Sequence, residues 1–441
     1  MDCVMDDQKE ERPAVVPPGA TQAGDVRGRR PHAEPSVWTE RMLVALEEGV
    51  KGGNWYSVHD KAVSVRALTA AFLKVKANGG SAGVDGWTVG RFEQDLARQI
   101  ERLHVELTAG SYRPQPVKRV WIPKPGTRER RPLGIPTVRD RVVQTAVRFA
   151  LEPIYEKEFS DRSFGFRPGR SCHQALRRVW LALNAGNGYV VDADFKSFFD
   201  TIPHDVIVRG LRSRIADGKM LDLLGFFLKQ GVLDGMDGWT VEEGTPQGSA
   251  LSPLLANIAL HGLDRMADEE GLELVRYADD FVVLCRTREA GEDALEKVKV
   301  WAASVGLTLH PDKTRIVDYG SGEGFDFLGY HLKKGSVFPG KKSEKKMRAK
   351  VRSLTGRTRS GGILEIVAKL NPVIRGWATY FKHSRGWALR GIDGYVRRRL
   401  RGILARREGL WGHPSLALHM RWTNAYFTEL GLFSAEQAGH K

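Results

Sequence analysis

A chain of 441 residues with 68 Lys and Arg against 53 Asp and Glu carries a formal net charge of +15, which suits two or more domains and an acidic partner. No apolar run approaches the roughly 20 residues of a membrane helix, and the acidic start lacks the apolar core of a secretion signal. Cys3, Cys172 and Cys285 form neither a disulfide framework nor a paired zinc motif, so a cytoplasmic protein with reduced thiols is expected.

The positive charge is concentrated near the C-terminal end. Residues 331–441 contain 24 Lys and Arg and 6 Asp and Glu, a net charge of +18, whereas residues 1–330 carry −3. So concentrated a field favours a polyanion, most plausibly nucleic acid, as the partner. A basic tail that only solubilises the chain is the alternative, and the helical spacing of apolar residues in this segment argues against it.

The N-terminal part is predicted to hold a disordered extension followed by helices. Residues 1–37 are rich in Pro, Gly and charge, so disorder is expected there and order is expected to begin near Trp38. Helical patterns then recur up to about residue 110, and Thr88 stands where it can cap the last of them.

Residues 112–139 are predicted to form a basic hairpin. Val117–Ile122 and Arg131–Ile135 have the composition of strands, and a turn rich in Pro, Gly and cations joins them. Such a hairpin can wrap a triphosphate, with Lys124 and Arg131 as its ligands. An exposed charged turn is the alternative interpretation of this segment alone.

A helix and a Gly/Pro loop follow. Residues 140–159 carry an apolar stripe at helical spacing, and Ser171 is placed to cap a second helix over His173–Leu183. In the loop between them, FGFRPGRS, Arg167 and Arg170 are candidates for contact with a nucleic-acid backbone. Ordinary surface positions are the alternative for both arginines.

The stretch GYVVDADF is predicted to be an acidic strand. Val190, Asp192 and Asp194 share one face of it, so periodicity alone does not choose between the two carboxylates. The residue nearer the C-terminal end of the strand is better placed to meet a metal at the end of the sheet, which favours Asp194.

Two adjacent aspartates stand between apolar strands in the stretch LELVRYADDFVVLCR. Leu272–Tyr277 and Phe281–Cys285 are predicted strands, which puts Asp279 and Asp280 at the tip of a hairpin. Adjacent carboxylates repel each other, and a hard cation such as Mg²⁺ relieves that repulsion. A solvated turn is the ordinary role of such a pair, but the apolar strands and the acidic strand upstream favour a metal site.

Loops on either side of this hairpin offer further substrate contacts. Upstream, GTPQGS exposes backbone and presents Gln247, and Ser252 with Pro253 is predicted to cap and begin a helix. Downstream, Lys313 lies in a loop between strand-like runs, and FDFLGYHLKKG is a probable second hairpin.

Three basic helical runs close the sequence, and Arg397, Arg398 and Arg401 lie on the polar side of the third. A solvated charged face would be ordinary for one such helix. Three in succession, with Trp and Tyr interspersed, favour RNA contact through phosphates and stacking on bases.

Taken in order, these motifs resemble the bacterial group II intron reverse transcriptase/maturase family. The matching stretches are RPLGIPTVRDRVVQ, SFGFRPGRS, DADFKSFFDTIPH, GTPQGSALSPLLANIAL, RYADD, LTLHPDKT, FLGY and NPVIRGWATYF. The resemblance implies an α+β right-hand polymerase. Fingers and a palm with an antiparallel sheet are expected over residues 38–335, a helical thumb or maturase domain over 336–410, and a short DNA-binding-like segment over 411–441.

The same resemblance implies roles for individual residues. The expected catalytic carboxylates are Asp194, Asp279 and Asp280, which would hold two Mg²⁺ ions, or Mn²⁺, together with the backbone carbonyl of Phe195. The residues expected to meet the deoxynucleoside triphosphate are Lys124, Arg131, Gln247, Lys313 and Phe199, the last as a steric gate against the ribose 2′-OH.

The implied activity is RNA-directed DNA polymerisation by a protein that also binds its group II intron RNA, promotes splicing and supports retrohoming by target-primed reverse transcription. Its partners would be the intron RNA, an RNA template, a DNA primer or target, and dNTPs. A reverse transcriptase adopted by the host, for example in phage defence, is one alternative, and a splicing factor with little polymerase activity is another. Many family members end in an HNH endonuclease, and the lack of a Cys/His cluster here indicates the endonuclease-less class.

Overall fold

The computed structural model describes residues 33–123, 130–234, 237–239, 243–245, 248–356, 361–410 and 416–438. The extension predicted over residues 1–37 is therefore described only from residue 33, and Lys124 and Gln247 lie outside the described residues. In the described part of the chain, no helix has the length and apolar character needed to cross a membrane.

Helices surround the first two strands of the chain. In order, the elements are α1 Glu40–Glu48, α2 His59–Ala62, α3 Val65–Asn78, α4 Val89–Gln94, α5 Leu96–Thr108, β1 Val117–Pro123, β2 Arg130–Ile135 and α6 Val138–Glu156. Thr88 caps α4 by accepting a hydrogen bond from the backbone N–H of Arg91, as predicted. The amphipathic run after it is broken at Asp95, whose φ of −121° is not helical, so two helices stand where one was expected.

The next group of elements begins with a helix that starts in a capping box, where it was predicted. The side chain of Ser171 accepts from the backbone N–H of Gln174, and the side chain of Gln174 accepts from the backbone N–H of Ser171. The elements are α7 Cys172–Asn184, β3 Tyr189–Asp194, α8 Phe198–Thr201, α9 His204–Arg212, α10 Gly218–Leu228, β4 Val232–Asp234 and β5 Asp237–Trp239. The predicted basic hairpin is confirmed as β1 and β2, and it extends into a four-stranded sheet in the order β2-β1-β4-β5.

The acidic strands meet in a second sheet. The elements that complete it are α11 Ser252–Glu269, β6 Glu273–Tyr277, β7 Asp280–Cys285, α12 Arg288–Ser304 and β8 Arg315–Asp318. The strand order is β6-β7-β3-β8 and every neighbouring pair is antiparallel, which confirms the predicted palm sheet and its hairpin. Helix α11 begins at Ser252 itself, with Leu251 rather than the predicted Ser252 at the N-cap position.

A small sheet leads into the C-terminal helices. The elements are β9 Gly324–Phe327, β10 Tyr330–Lys333, β11 Ser336–Pro339, α13 Lys341–Leu354, α14 Ile363–Tyr380, α15 Gly386–Arg407, α16 Leu416–Arg421, α17 Asn424–Glu429 and α18 Ala435–Ala438. The probable hairpin is β9 and β10, and β11 adds a strand that the sequence analysis did not include.

The palm sheet separates two hydrophobic cores. Val191, Phe281 and Val283 point into one core with α11, α12 and the N-terminal helices. Val190 and Val282 point into the other core, together with α7 and the C-terminal helices. Both faces of the sheet are therefore covered, and only the ends of its strands are left to present polar groups.

The described residues of the segment 411–441, expected to be DNA-binding-like, pack into the second core. Trp422 and Phe427 are 5% and 1% exposed and lie in the same cluster as α14 and α15. Asp393 on α15 accepts hydrogen bonds from the backbone N–H of Ala435 at 2.8 Å and of Glu436 at 3.2 Å. The last described helices thus share a hydrophobic core with α14 and α15.

Candidate active site

Three carboxylates meet at one end of the palm sheet. In the antiparallel pairing of β3 with β7, Asp194 lies directly opposite Asp280. Tyr277 pairs with Asp280 across the hairpin, so Ala278 and Asp279 form a two-residue turn between β6 and β7. Asp192, which periodicity left as an alternative, lies further from the tip and forms an ion pair with Arg315 at 3.4 Å.

The turn that carries Asp279 is held in a strained conformation. Ala278 has φ of +60°, a value that favours glycine at the first central position of a two-residue hairpin turn. The carbonyl of Ala278 accepts a hydrogen bond of 2.9 Å from the guanidinium of Arg276. A side-chain donor therefore fixes the orientation of the peptide next to Asp279.

Arg276 is fully buried, and each of its three guanidinium nitrogens has an acceptor. It donates two hydrogen bonds to Asp264, at 2.7 and 2.5 Å, and one of 2.9 Å to the side-chain carbonyl of Asn257. Asp264 is also fully buried, so the two charges are paired away from water. We call Arg276, Asp264 and Asn257 the turn clamp.

The backbone of the loop FGFRPGRS packs closely against the same turn. A Cβ added to Gly165 would lie 2.7 Å from the carbonyl carbon of Tyr277, so only glycine fits this approach. Asn257 donates a hydrogen bond of 2.9 Å to the carbonyl of Gly165 and so links the loop to the turn clamp. The sequence analysis missed this set, although an arginine inside an apolar strand was a signal that could have found it.

Burial and mutual repulsion raise the pKa values of two of the strand-end aspartates. Burial, and then the charges of Asp192, Asp194 and Asp279, raise the pKa of Asp280 to about 7. Burial also raises the pKa of Asp279, while Arg131 and Lys313 act in the opposite direction. The site therefore favours any cation that can neutralise it.

Two predicted nucleotide ligands lie close enough to act on these carboxylates. The ammonium of Lys313 forms an ion pair with Asp194. Arg131, exposed at the start of β2, acts electrostatically on Asp279, which places the fingers hairpin beside the palm carboxylates. Lys313 and Arg131 therefore provide positive charge on two sides of the aspartates.

The donor set suits a hard divalent cation, because its carboxylate oxygens are crowded and the pKa values of Asp279 and Asp280 are raised. Among the described residues, no three Asp, Glu, His or Cys side chains are oriented as a ready-made metal-ligand set, and the carboxylate of Asp194 contacts Lys313. The ring of Phe195 is buried, and its backbone bridges to Leu309. Asp194, Asp279 and Asp280 are the side chains that would hold a metal here.

The predicted gate residue lies beside a second aromatic ring. Phe199 is partly buried, and its ring meets Phe166 edge-to-face at 6.4 Å. Phe166 is 47% exposed and has φ of +59°, so a large apolar side chain is held out to solvent on a strained backbone. Together the two rings form an aromatic wall that the sequence had indicated only at Phe199.

The described residues on either side of Gln247 contact the gate and the fingers hairpin. Thr245 donates its backbone N–H to the carbonyl of Phe199 at 2.7 Å. On the far side of Gln247, Gly248 packs so closely on Gly134 of β2 that a Cβ would clash with the carbonyl. The described flanks of this loop thus span from the gate to the strand that carries Arg131.

Two candidate RNA-contacting arginines are engaged within the protein. Arg167 is 6% exposed, forms an ion pair with Glu156 at 2.8 Å and donates to the carbonyl of Ser163 at 2.7 Å. This corrects its expected exposure, because a guanidinium satisfied inside the protein cannot reach a phosphate. Arg170 forms an ion pair with Asp161 at 2.5 Å at the surface and stays partly accessible.

The arginines of α15 divide in the same way. Arg401 is 3% exposed and donates to the carbonyl of Trp422 at 2.8 Å and to Asn424 at 2.9 Å, so it joins helices inside the thumb rather than facing RNA. Arg398 is exposed and Arg397 is half-buried. Only these two of the three predicted residues remain available to a nucleic acid.

Family models match two parts of the chain. Residues 122–332 match the reverse transcriptase (RNA-dependent DNA polymerase) family, and residues 344–419 match the group II intron maturase-specific domain. The first range contains the three strand-end aspartates, and the second contains the basic helices α13, α14 and α15.

Similar proteins are found in bacteria and in fungi. Protein YkfC of Escherichia coli is 36% identical over 57% of this chain and 75% of its own length. The group II intron-encoded protein LtrA of Lactococcus lactis is 46% identical over 38% of this chain and 28% of its own length. A 91 kDa protein in the cob intron of Schizosaccharomyces pombe is 29% identical over 72% of this chain and 49% of its own length.

The chain thus spans three quarters of one relative and half or less of the other two. Both matched domains, the relatives and the antiparallel palm sheet agree with one another. A reverse transcriptase of this type requires a divalent metal, and a maturase domain implies binding of intron RNA. This protein belongs to the group II intron reverse transcriptase/maturase family.

Proposed function

We propose that this chain is an active RNA-directed DNA polymerase whose catalytic carboxylates are Asp194, Asp279 and Asp280, and that the bound metal is Mg²⁺. The observation that carries the proposal is the cross-strand pair of Asp194 and Asp280 with Asp279 in the adjoining turn. Three carboxylates at the end of a buried sheet, two of them with raised pKa values, are a costly arrangement without a cation. Bound Mg²⁺ would supply a Lewis acid for the primer hydroxyl and the triphosphate.

The chain's own residues would position the nucleotide around these carboxylates. Arg131 on the fingers hairpin and Lys313 beside Asp194 would pair with the phosphates that the aspartates repel. Phe199 would exclude the ribose 2′-OH by volume, with Phe166 against its ring. Lys124 and Gln247 keep their proposed nucleotide roles from the family resemblance alone.

The proposed partners are intron RNA, an RNA template, a DNA primer or target, and dNTPs, met in the bacterial cytoplasm. Splicing of the intron RNA and target-primed retrohoming are proposed on the same basis. The maturase-specific match covers α13–α15, where lysines and arginines are abundant and Arg398 is exposed.

The test is primer extension on an RNA template with dNTPs and Mg²⁺. The variant Asp279→Asn should lower the rate by about 10³-fold or more, because it removes a metal-binding charge that acts in the transition state. Asp205→Asn is the matched control and should extend at the wild-type rate, since Asp205 is an exposed aspartate of α9 that pairs with Arg209. Extension by Asp279→Asn within tenfold of wild type would overturn the assignment.

A further inference from the structure

A cleft lies where the palm meets the thumb, away from the strand-end aspartates. It has a volume of about 570 Å³ and is bounded by α7, by the β10–β11 hairpin and by residues 383–385 between α14 and α15. This size falls within the range of small-molecule sites in proteins. None of Asp194, Asp279 and Asp280 lines it.

The walls of the cleft are apolar and aromatic. Leu176 and Trp180 come from α7, and Leu332 and Val337 come from the hairpin. Trp180 is half-buried, so part of its ring faces the open cleft. An indole face beside aliphatic side chains is a stacking platform for a planar ring.

Two imidazoles stand at one side. The rings of His173 and His383 meet edge-to-face at 5.1 Å. The Nε2 of His173 lies 2.7 Å from the carbonyl of Tyr380, and since a carbonyl only accepts, Nε2 donates and the neutral ring keeps Nδ1 as an acceptor. Burial and the neighbouring His173 lower the pKa of His383, so its ring is neutral at pH 7 and can accept as well as donate.

The two imidazoles are among the polar side chains that line the cleft with Trp180. The hydroxyl of Ser384 has no hydrogen-bond partner among the described residues, but its oxygen is closed off from solvent, so a ligand in the cleft would not contact it. His173 and His383 therefore supply the acceptors and donors beside the indole.

Positive charge stands at the rim. Arg177 is exposed, and no ion pair involving it is found within the described residues, whereas the next residue, Arg178, pairs with Glu273 at 2.6 Å. Arg385 donates to the carbonyl of Gly335, which holds its guanidinium at the edge of the cleft. Guanidinium groups favour phosphate, which they bind with paired hydrogen bonds.

We propose that this cleft binds a single unstacked nucleotide. Its base would lie against Trp180, the polar edge of the base would meet the imidazoles of His173 and His383, and its phosphate would pair with Arg177 and Arg385. This inference rests on the nucleic-acid binding of the proposed function. A nucleotide extruded from a folded RNA and a free nucleotide share this chemistry.

The test compares two short RNA hairpins, identical except for one bulged adenosine, by equilibrium binding to the full-length protein without dNTPs. The bulged RNA should bind about tenfold more tightly, because stacking one base on an aromatic side chain contributes that much. Trp180→Leu and Arg177→Gln should each reduce this ratio to near one. Arg178→Gln, the matched change one residue away, should keep it.

Competition by AMP distinguishes the two sources. If millimolar AMP displaces the bulged RNA, the cleft also accepts free nucleotides. If AMP does not compete but both cleft variants lose the preference for the bulged RNA, the cleft binds a nucleotide within an RNA strand. The proposal is overturned if wild type binds both RNAs equally or if the ratio survives in both variants. Because Arg177 is exposed, Arg177→Gln tests the cleft even if Trp180→Leu unfolds the protein. Asp279→Asn should keep the wild-type ratio of bulged to unbulged RNA affinity even if it abolishes polymerisation.

Discussion

At the scale of single residues, the turn clamp holds the backbone beside the proposed catalytic aspartates. Removing one member of a buried ion pair leaves the other charge unpaired. Arg276→Met is therefore expected to lower the free energy of unfolding by about 3–5 kcal/mol, measured by urea denaturation. The loss arises because Asp264 would keep a buried charge without its partner.

A paired change separates stability from positioning. The double variant Arg276→Met/Asp264→Leu replaces both charges with apolar groups, and it should recover most of the lost stability. Its primer-extension rate should nevertheless stay about tenfold or more below wild type, because the Ala278 carbonyl still lacks its donor. Wild-type extension by this double variant would show that the clamp serves stability alone.

The proposed gate is tested by substrate selection. Phe199→Val should raise incorporation of ribonucleotides relative to deoxynucleotides by roughly tenfold or more, since truncating the ring admits a hydroxyl without removing a reacting group. The measurement is primer extension with competing rNTP and dNTP. Phe198→Val, the same change in the adjacent buried ring, should affect stability and leave selection unchanged. Unaltered selection by Phe199→Val would make Phe199 a core residue.

At the scale of elements, a buried carboxylate ties the base of the fingers to α6. Asp140, in the first turn of α6, accepts hydrogen bonds from the hydroxyl of Tyr112 at 2.5 Å, the N–H of Gln115 at 3.2 Å and the amide of Gln230 at 3.4 Å. Burial nevertheless raises the pKa of Asp140 to about 6. Desolvation thus outweighs the hydrogen bonds that favour its charged form.

This shift predicts an unusual pH dependence. Because the native pKa lies above the ordinary value of 3.8, the folded state binds the proton more tightly, and unfolding between these values releases it. The free energy of unfolding of wild type relative to Asp140→Asn should therefore fall by up to about 3 kcal/mol from about pH 4 to about pH 7. Urea denaturation across this range measures the difference, and a constant difference would contradict the prediction.

At the scale of the whole molecule, charge is divided between an acidic body and a basic thumb. Net charge is +18 in residues 331–441 and −3 in the rest, so RNA affinity should fall steeply with salt. Changing Arg397 and Arg398 together to Gln should reduce the steepness of the plot of log affinity against log salt concentration by up to about two. Each lost phosphate contact removes somewhat less than one unit from that slope. Filter binding of the intron RNA at several salt concentrations measures the slope.

The buried arginine of the same helix is the control. Arg401→Gln should lower the melting temperature of the protein, because it breaks hydrogen bonds to Trp422 and Asn424. The salt slope should stay at the wild-type value, since Arg401 does not reach the surface. An unchanged slope in the Arg397/Arg398 variant would instead place the RNA on another face.

The sequence by itself was sufficient to predict the basic hairpin and the hairpin that carries Asp279 and Asp280. Periodicity along β3 left Asp192 and Asp194 as alternatives, and β4, β5 and β11 were not predicted. A strand is recognised from residues that lie within a few positions of one another, as on both sides of Asp279 and Asp280 and along β3. Such short-range patterns can be identified without knowledge of the fold. The order of the motifs was equally readable, and the family it indicated is confirmed by the domain matches.

Only the tertiary structure decided which polar residues face solvent and which carboxylates face each other. The pairing of Asp194 with Asp280 depends on strand register across more than 80 residues, and the burial of Arg167, Arg276 and Arg401 depends on acceptors elsewhere in the chain. The sequence around an arginine does not show whether its guanidinium binds a phosphate or a buried carbonyl. Its role is set by which groups the fold brings within hydrogen-bond distance, and that is a non-local property.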